Sequence, residues 1–119
     1  MSLALRACAV LVVTLLGLSG CGSSGPTSTT TSGPTTIDIT IKGGTVNPDG
    51  TQVKVKAGQP VTLHITADTA GELHVHSSPE QHIEYAAGTT DKTITLDQPG
   101  VVDIEDHALN KLVVQLQVR

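Results

Sequence analysis

Apolar and polar residues alternate along almost the whole chain after Thr36. Successive side chains of a β-strand point to opposite faces, so a period of two predicts strands that are buried on one face. The pattern predicts about eight short strands, whose apolar positions begin at Ile37, Val53, Val61, Leu73, Ile83, Ile94, Val102 and Leu112. No stretch has the spacing of an amphipathic helix. Short strands at regular intervals without helices predict an all-β domain, and we expect a β-sandwich.

Turn-forming residues separate these strands, at positions 43–44, 47–50, 57–60, 68–71 and 97–100. Asp91 and Asp97 are predicted to lie in turns. Val113 is predicted to lie on the polar face of the last strand. Tyr85 is the only aromatic residue, so the core is expected to be aliphatic. We expect the Tyr85 ring to be partly buried with its hydroxyl in water.

The first twenty residues have the pattern of a secretory signal peptide. Arg6 supplies an early positive charge, and an apolar run follows from Ala7 to Leu18. That run is too short to span a bilayer comfortably. It ends in Leu18-Ser19-Gly20-Cys21, which resembles the lipobox of bacterial lipoproteins. The resemblance implies cleavage before Cys21 and lipidation of that cysteine; the alternative is an ordinary signal peptide with a stray cysteine.

Cleavage at this point changes the composition of the mature protein. Cys8 is discarded and Cys21 is consumed as a thioether, so no free thiol or disulfide remains. Loss of Arg6 lowers Lys plus Arg from 7 to 6 and moves the net charge from −4 to −5. An acidic domain without a basic cluster is a poor partner for nucleic acid or anionic lipid. Membrane contact is therefore expected through the lipid alone.

Three regions follow from these patterns. Residues 1–20 are predicted to be a lipoprotein signal peptide. Residues 21–35 carry the lipidated Cys21 and a Ser/Thr/Gly/Pro-rich linker, which has no side chain large enough to join a core. Residues 36–119 form the β-domain. We expect a monomer on the extracytoplasmic face of the cell membrane.

Two segments carry most of the chemistry, Glu72-Leu73-His74-Val75-His76 and Asp103-Ile104-Glu105-Asp106-His107. Residues two apart on a strand share a face and lie about 6.6 Å apart. The first segment therefore offers two imidazoles on one face, and the second offers a carboxylate and an imidazole. Both pairs lie opposite the apolar faces of their strands. The unspecific alternative is that they are ordinary polar residues of a wet surface.

The segments at residues 53–63, 71–76 and 98–107, in this order, resemble the cupredoxin-like family of secreted bacterial proteins. The resemblance covers about Ile37 to Val118. It implies a Greek-key sandwich with a metal site at one end, to which a mid-chain histidine near His74 and a later loop contribute. Blue-copper relatives place a cysteine and often a methionine in that loop. This chain has Glu105 near the cysteine position, Leu109 or Leu112 near the methionine position, and Met1 as its only methionine.

A blue-copper site requires a thiolate, and soft sulfur ligands favour copper(I). Without sulfur, the remaining imidazoles and carboxylates suit copper(II) or zinc. The predicted metal ligands are His74, His76, Glu105 and His107. His64 reads as a surface histidine, and His82 is not expected to join the site.

The sequence thus predicts a membrane-anchored lipoprotein with a cupredoxin-like domain that binds copper(II) or zinc and is not a blue-copper electron carrier. The alternative is a metal-free module of the same fold that serves an envelope transport or assembly partner. No phosphate-binding Gly-Lys-Ser/Thr loop, His-Glu-x-x-His helix or Gly-x-Ser-x-Gly elbow occurs. We therefore do not expect an enzyme.

Overall fold

Two β-sheets packed face to face make up the computed structural model, which describes residues 33–119. The nine strands are β1 (Thr35–Lys42), β2 (Thr45–Asn47), β3 (Thr51–Val55), β4 (Pro60–Ala67), β5 (Gly71–Val75), β6 (Gln81–Tyr85), β7 (Gly88–Thr95), β8 (Gly100–Asp106) and β9 (Lys111–Val118). One sheet has the order β2-β1-β4-β7, and the other has the order β3-β9-β8-β5-β6. The predicted all-β sandwich is confirmed.

Parallel and antiparallel pairs occur in both sheets. β1 runs parallel to β4, and β3 runs parallel to β9. The remaining pairs are antiparallel, including β5 with β6 and β5 with β8. β5 therefore lies between β6 and β8, and this arrangement places the histidine-bearing segments side by side.

The core fills the space between the sheets with aliphatic side chains, as the alternation predicts. Ile39, Leu63 and Leu116 are among the residues with almost no exposed surface. Burying a side chain of this size contributes about 1.5–3 kcal/mol, so a core without Phe or Trp can still hold two sheets together. The apolar positions of β5 and β8 point into this core. Their polar neighbours consequently point outward.

The structure has one strand more than the sequence pattern predicts, and one strand is longer. Residues 45–47 pair with β1 although only turns were predicted on either side of them. β7 begins at Gly88, and Asp91 lies within it opposite His64, so the prediction of a turn at Asp91 was wrong. Ile94 is the only fully buried residue of β7. Because most of β7 is exposed on both faces, its sequence does not alternate between apolar and polar residues, and the pattern does not predict the strand.

A β-bulge explains why Val113 is buried rather than on the polar side of β9. Ile104 pairs with Val114, whereas Glu105 pairs with Leu112, so Val113 is the extra residue. Val113 and Val114 are both fully buried. A bulge bends its strand and re-aims the side chains around it. The bend lies beside Glu105.

The predicted signal peptide, Cys21 and almost all of the predicted linker lie outside the described residues. β1 begins at Thr35, which is the last residue of that linker. Within residues 33–119 there is no helix of the length and hydropathy needed to cross a membrane.

Candidate metal-binding face

The outer surface of β6, β5 and β8 carries four of the five histidines of the chain. His74 on the central strand lies directly opposite His82 of β6 and Glu105 of β8. Leu73 and Val75 on either side of it are fully buried. We call this surface the histidine face, and its residues are Glu72, His74, His76, Glu80, His82, Glu105 and His107.

The first cluster on this face consists of His76, Glu105 and His107. Oε2 of Glu105 lies 3.0 Å from Nε2 of His76 and 3.2 Å from Nε2 of His107. The three side chains can each offer one ligand atom, and these atoms lie within 4.8 Å of one another. One carboxylate oxygen thus holds two imidazole nitrogens close together.

The second cluster consists of Glu72, His74 and His82. Oε1 of Glu72 lies 2.5 Å from Nε2 of His74 and 3.2 Å from Nδ1 of His82. These ligand atoms also lie within 4.8 Å of one another. Glu80 faces the other side of both rings, with its Oε1 3.4 Å from Nδ1 of His74 and 3.9 Å from Nε2 of His82.

The two clusters touch through a pair of stacked rings. The centroids of His74 and His107 are 3.8 Å apart, and the planes are inclined by 28°. His74 also meets the edge of His82, with centroids 4.4 Å apart. The four predicted ligands therefore lie on one surface. His76 and His107 share the carboxylate of Glu105, whereas the nitrogens of His74 face Glu72 and Glu80.

Sequence reasoning missed Glu72 and rejected His82 as members of this group. Glu72 shares the period-two face of His74 and His76, so its position was readable from the alternation. The position of His82 depends on the register of the β5–β6 hairpin, which pairs Val75 with Gln81 across the intervening loop. If residues 76–80 are taken as the hairpin loop, Val75 pairs with Gln81 and His74 pairs with His82.

The remaining histidine, His64, lies on the other sheet. Its Nδ1 is 2.5 Å from Oδ1 of Asp91, the residue opposite it on β7. It has no contact with the histidine face in the described structure. This arrangement makes His64 a useful control position.

The histidine face is rich in carboxylates and contains no lysine or arginine on β5, β6 or β8. Hydrogen bonding to His82 lowers the pKa of Glu72, and hydrogen bonding to His74 adds to this effect, while desolvation opposes both. Glu72 is thereby kept in the charged form that a cation prefers. The same sheet surface continues onto β9 and β3, where Gln52 donates to Gln115 at 2.9 Å and Gln115 donates to Asp103 at 3.0 Å. Lys54 lies on this part of the surface, opposite Gln117.

A buried pair fixes the turn that carries His107. The hydroxyl of Tyr85 donates to Oδ2 of Asp106 at 2.7 Å, and the backbone N–H of Leu109 donates to Oδ1 at 3.0 Å. Asp106 is fully buried and Tyr85 is 7% exposed, so the expectation of a water-exposed hydroxyl was wrong. Gly71 lies opposite Tyr85 in the register, where a Cβ would overlap the Tyr85 hydroxyl and ring. Burial raises the pKa of Tyr85, and the hydrogen bond to Asp106 and its charge raise it further.

Each cluster provides two imidazole nitrogens and a carboxylate oxygen. Ligands about 2.0–2.1 Å from a tetrahedral ion lie roughly 3.3 Å from one another. The separations of 3.0 and 3.2 Å in the first cluster are close to this value, so small shifts would admit an ion. The described residues contain neither cysteine nor methionine. The donor set fits copper(II) or zinc and does not fit a thiolate-bound copper centre.

Comparison with known proteins gives a result for the fold and none for the family. No protein-family model matches the sequence, and no curated protein matches it. Among solved structures, the Cu(I) form of an amicyanin variant matches with a TM-score of 0.53 and 16% identity, over 73% of this chain and 83% of amicyanin. An oxidized amicyanin variant matches over the same shares with a TM-score of 0.53 and 17% identity.

A multicopper oxidase from Pediococcus acidilactici matches with a TM-score of 0.55 and 10% identity, over 74% of this chain. The match spans only 27% of the oxidase chain, so this protein resembles a part of that enzyme. These neighbours are cupredoxins, and the described domain has a cupredoxin-like fold. Identities this low establish the fold alone.

Proposed function

We propose that this protein is a membrane-anchored extracytoplasmic lipoprotein whose cupredoxin-like domain binds copper(II) or zinc. The observation that carries the metal assignment is the convergence of His76 and His107 on one oxygen of Glu105, at 3.0 and 3.2 Å. The fold shared with copper-containing amicyanin supports it, as does the absence of lysine and arginine from β5, β6 and β8.

Nitrogen and oxygen ligands define what this site does chemically. Imidazole and carboxylate stabilise copper(II) and zinc, whereas a copper(I)/copper(II) carrier of the blue type needs a cysteine thiolate. The described residues supply no sulfur ligand. The proposed role is to hold or deliver a divalent ion at the membrane surface, without electron transfer by a blue site and without turnover of a substrate.

Calorimetric titration with copper(II) and with zinc tests the first cluster. The purified protein is expected to bind at least one ion, with affinity falling at low pH because protons compete for the imidazole nitrogens. Replacing both His76 and His107 by alanine removes two ligands. Mutating a residue that only hydrogen-bonds to a metal ligand typically weakens metal binding by roughly 10–100-fold. Loss of a ligand itself is expected to weaken binding at this cluster by at least that factor.

His64→Ala is the matched control, because it removes an imidazole from the opposite sheet. Its affinities should equal those of the wild-type protein. If the His76→Ala/His107→Ala variant binds every ion as tightly as the wild type does, the first cluster is not a metal site.

The membrane anchor is tested by Cys21→Ala. If Cys21 carries the lipid, this substitution should move the protein from the membrane fraction into the soluble envelope fraction or the medium, because the domain has no basic patch to hold anionic lipid. Cys8→Ala is the control and should leave the distribution unchanged. Membrane association that survives Cys21→Ala would refute the anchor.

A metal-free interaction module is the second candidate function, and a groove beside His76 favours it. The groove has a volume of about 320 Å³ and is lined in part by Pro79, Pro99 and Val101. Val101 is 63% exposed, the one large apolar side chain so exposed among the described residues. Isolated exposed apolar residues are common on protein surfaces. A titration without metal binding would leave this alternative in place.

A further inference from the structure

The second cluster has the features of a metal site in its own right. Its three potential ligands come from one β-hairpin, with Glu72 and His74 on β5 and His82 on β6. As in the first cluster, the carboxylate and one imidazole lie two residues apart on one segment, and the second imidazole comes from a neighbouring segment. His74 is also the least exposed histidine of the face, with 18% of its side chain accessible. Partial burial strengthens the attraction between a cation and these ligands.

The ring nitrogens of this cluster lie close to carboxylate oxygens on both sides, and a bound cation would stabilise this arrangement. Both nitrogens of His74 and both nitrogens of His82 have a carboxylate oxygen of Glu72 or Glu80 within 3.9 Å. A neutral imidazole has one N–H and one lone pair. Two neutral rings therefore leave two lone pairs facing negative oxygens. A cation placed between Glu72 and the two rings removes this repulsion.

Glu80 completes the arrangement from the outside. If Nε2 of His74 binds an ion on the Glu72 side, Nδ1 keeps its proton and faces Glu80 at 3.4 Å. Histidine ligands commonly donate their second N–H to a carboxylate, which fixes the ring and increases its basicity. In the first cluster, by contrast, the contacts of His76 and His107 with carboxylates involve Nε2 and Glu105 alone.

From these contacts we infer that the histidine face binds two divalent transition-metal ions, the second held by Glu72, His74 and His82 with Glu80 as the outer partner of His74. An ion among these ligands requires the Glu72 oxygen to withdraw from its 2.5 Å contact with His74, and the 38% exposure of the Glu72 side chain leaves room for this shift. The second site does not depend on the first cluster, because the two share no ligand. The clusters are in contact through the stacked rings of His74 and His107.

Zinc stoichiometry tests the inference. Protein stripped with a chelator is dialysed against buffered zinc, and bound metal is measured by elemental analysis. The wild type is expected to hold two ions per chain. His82→Ala and His76→Ala should each hold one, their combination none, and the His64→Ala control two. Glu80→Gln should hold two ions, with the affinity at the second site alone weakened by roughly 10–100-fold.

Other results have defined meanings. One ion in the wild type that survives His82→Ala overturns the second site and leaves the first. One ion that is lost with His82→Ala but kept with His76→Ala supports the second site and refutes the first. One ion lost with either substitution indicates a single shared site and overturns the inference, and no ion at all overturns both sites. All of these substitutions are on exposed or half-exposed side chains, and backbone amide spectra of each variant verify that the fold is kept.

Discussion

Replacing Gly71 with alanine is expected to lower the free energy of unfolding by about 2–6 kcal/mol, of which roughly 1–3 kcal/mol comes from overpacking and roughly 1–3 kcal/mol from loss of a buried hydrogen bond. A Cβ at this position would overlap the hydroxyl and ring of Tyr85. That ring is buried and is held by Asp106, so it cannot swing into water without breaking the bond. Urea unfolding of the wild type and the variant measures the difference.

A second substitution distinguishes this steric cause from a general intolerance of alanine. Shortening the opposing side chain with Tyr85→Leu makes room for the new methyl group. The double variant should therefore be less destabilised than the sum of the single variants, by about 1 kcal/mol or more. Strict additivity, or a cost of Gly71→Ala below about 1 kcal/mol, would show that the ring does not confine this position.

High pH is expected to unfold the protein through Tyr85. The folded state raises the pKa of this phenol above its ordinary value of 10.0, chiefly because the ring is buried. Between that value and the higher pKa of the folded state, the unfolded chain has lost the proton and the folded chain keeps it. Stability therefore falls as pH rises above about 10, by at most about 1.4 kcal/mol per pH unit from this one group.

Tyr85 is the only aromatic residue, so tyrosinate absorbance reports this one side chain. The absorbance should appear together with unfolding rather than before it. Tyr85→Phe serves as the comparison: it should lose this part of the alkaline instability while costing about 1–3 kcal/mol at neutral pH, because Asp106 loses a donor in the core. A phenol that titrates near pH 10 in a protein that is still folded would contradict the prediction.

The sandwich and its buried faces were predictable because the alternation is regular wherever a strand is buried on one side. Ile37 to Ile41 and Val61 to Ile65 are clear examples, and the apolar positions of both stretches are buried as predicted. The apolar–polar pattern did not predict the structure where a strand is not buried on one face, or where a bulge interrupts its period. β7 buries little, so its first half reads as a loop, and the bulge at Val113 interrupts the period that the rest of β9 follows.

The histidine face was only partly predictable for a different reason. Alternation within a strand assigns a side chain to a face, and it correctly put His74 and Glu105 on the outer surface. It does not say which residue of another strand lies opposite. The pairing of His74 with His82 and with Glu105 follows from hairpin and sheet register, which no single strand encodes. The Tyr85–Asp106 pair escaped prediction in the same way, since its partners are on different strands.

The pairing of strands also has a consequence for the order in which the two clusters form during folding. The contact between His82 and Glu72 spans 10 residues and needs only the β5–β6 hairpin. The contact between His76 and Glu105 spans 29 residues and needs β8 in place, while β3 joins β9 across 63 residues, as between Gln52 and Gln115. Distant segments are slower to meet because a longer loop must close first. We therefore expect the hairpin cluster to form earlier in folding than the cluster at Glu105, which requires β8 to have joined the sheet.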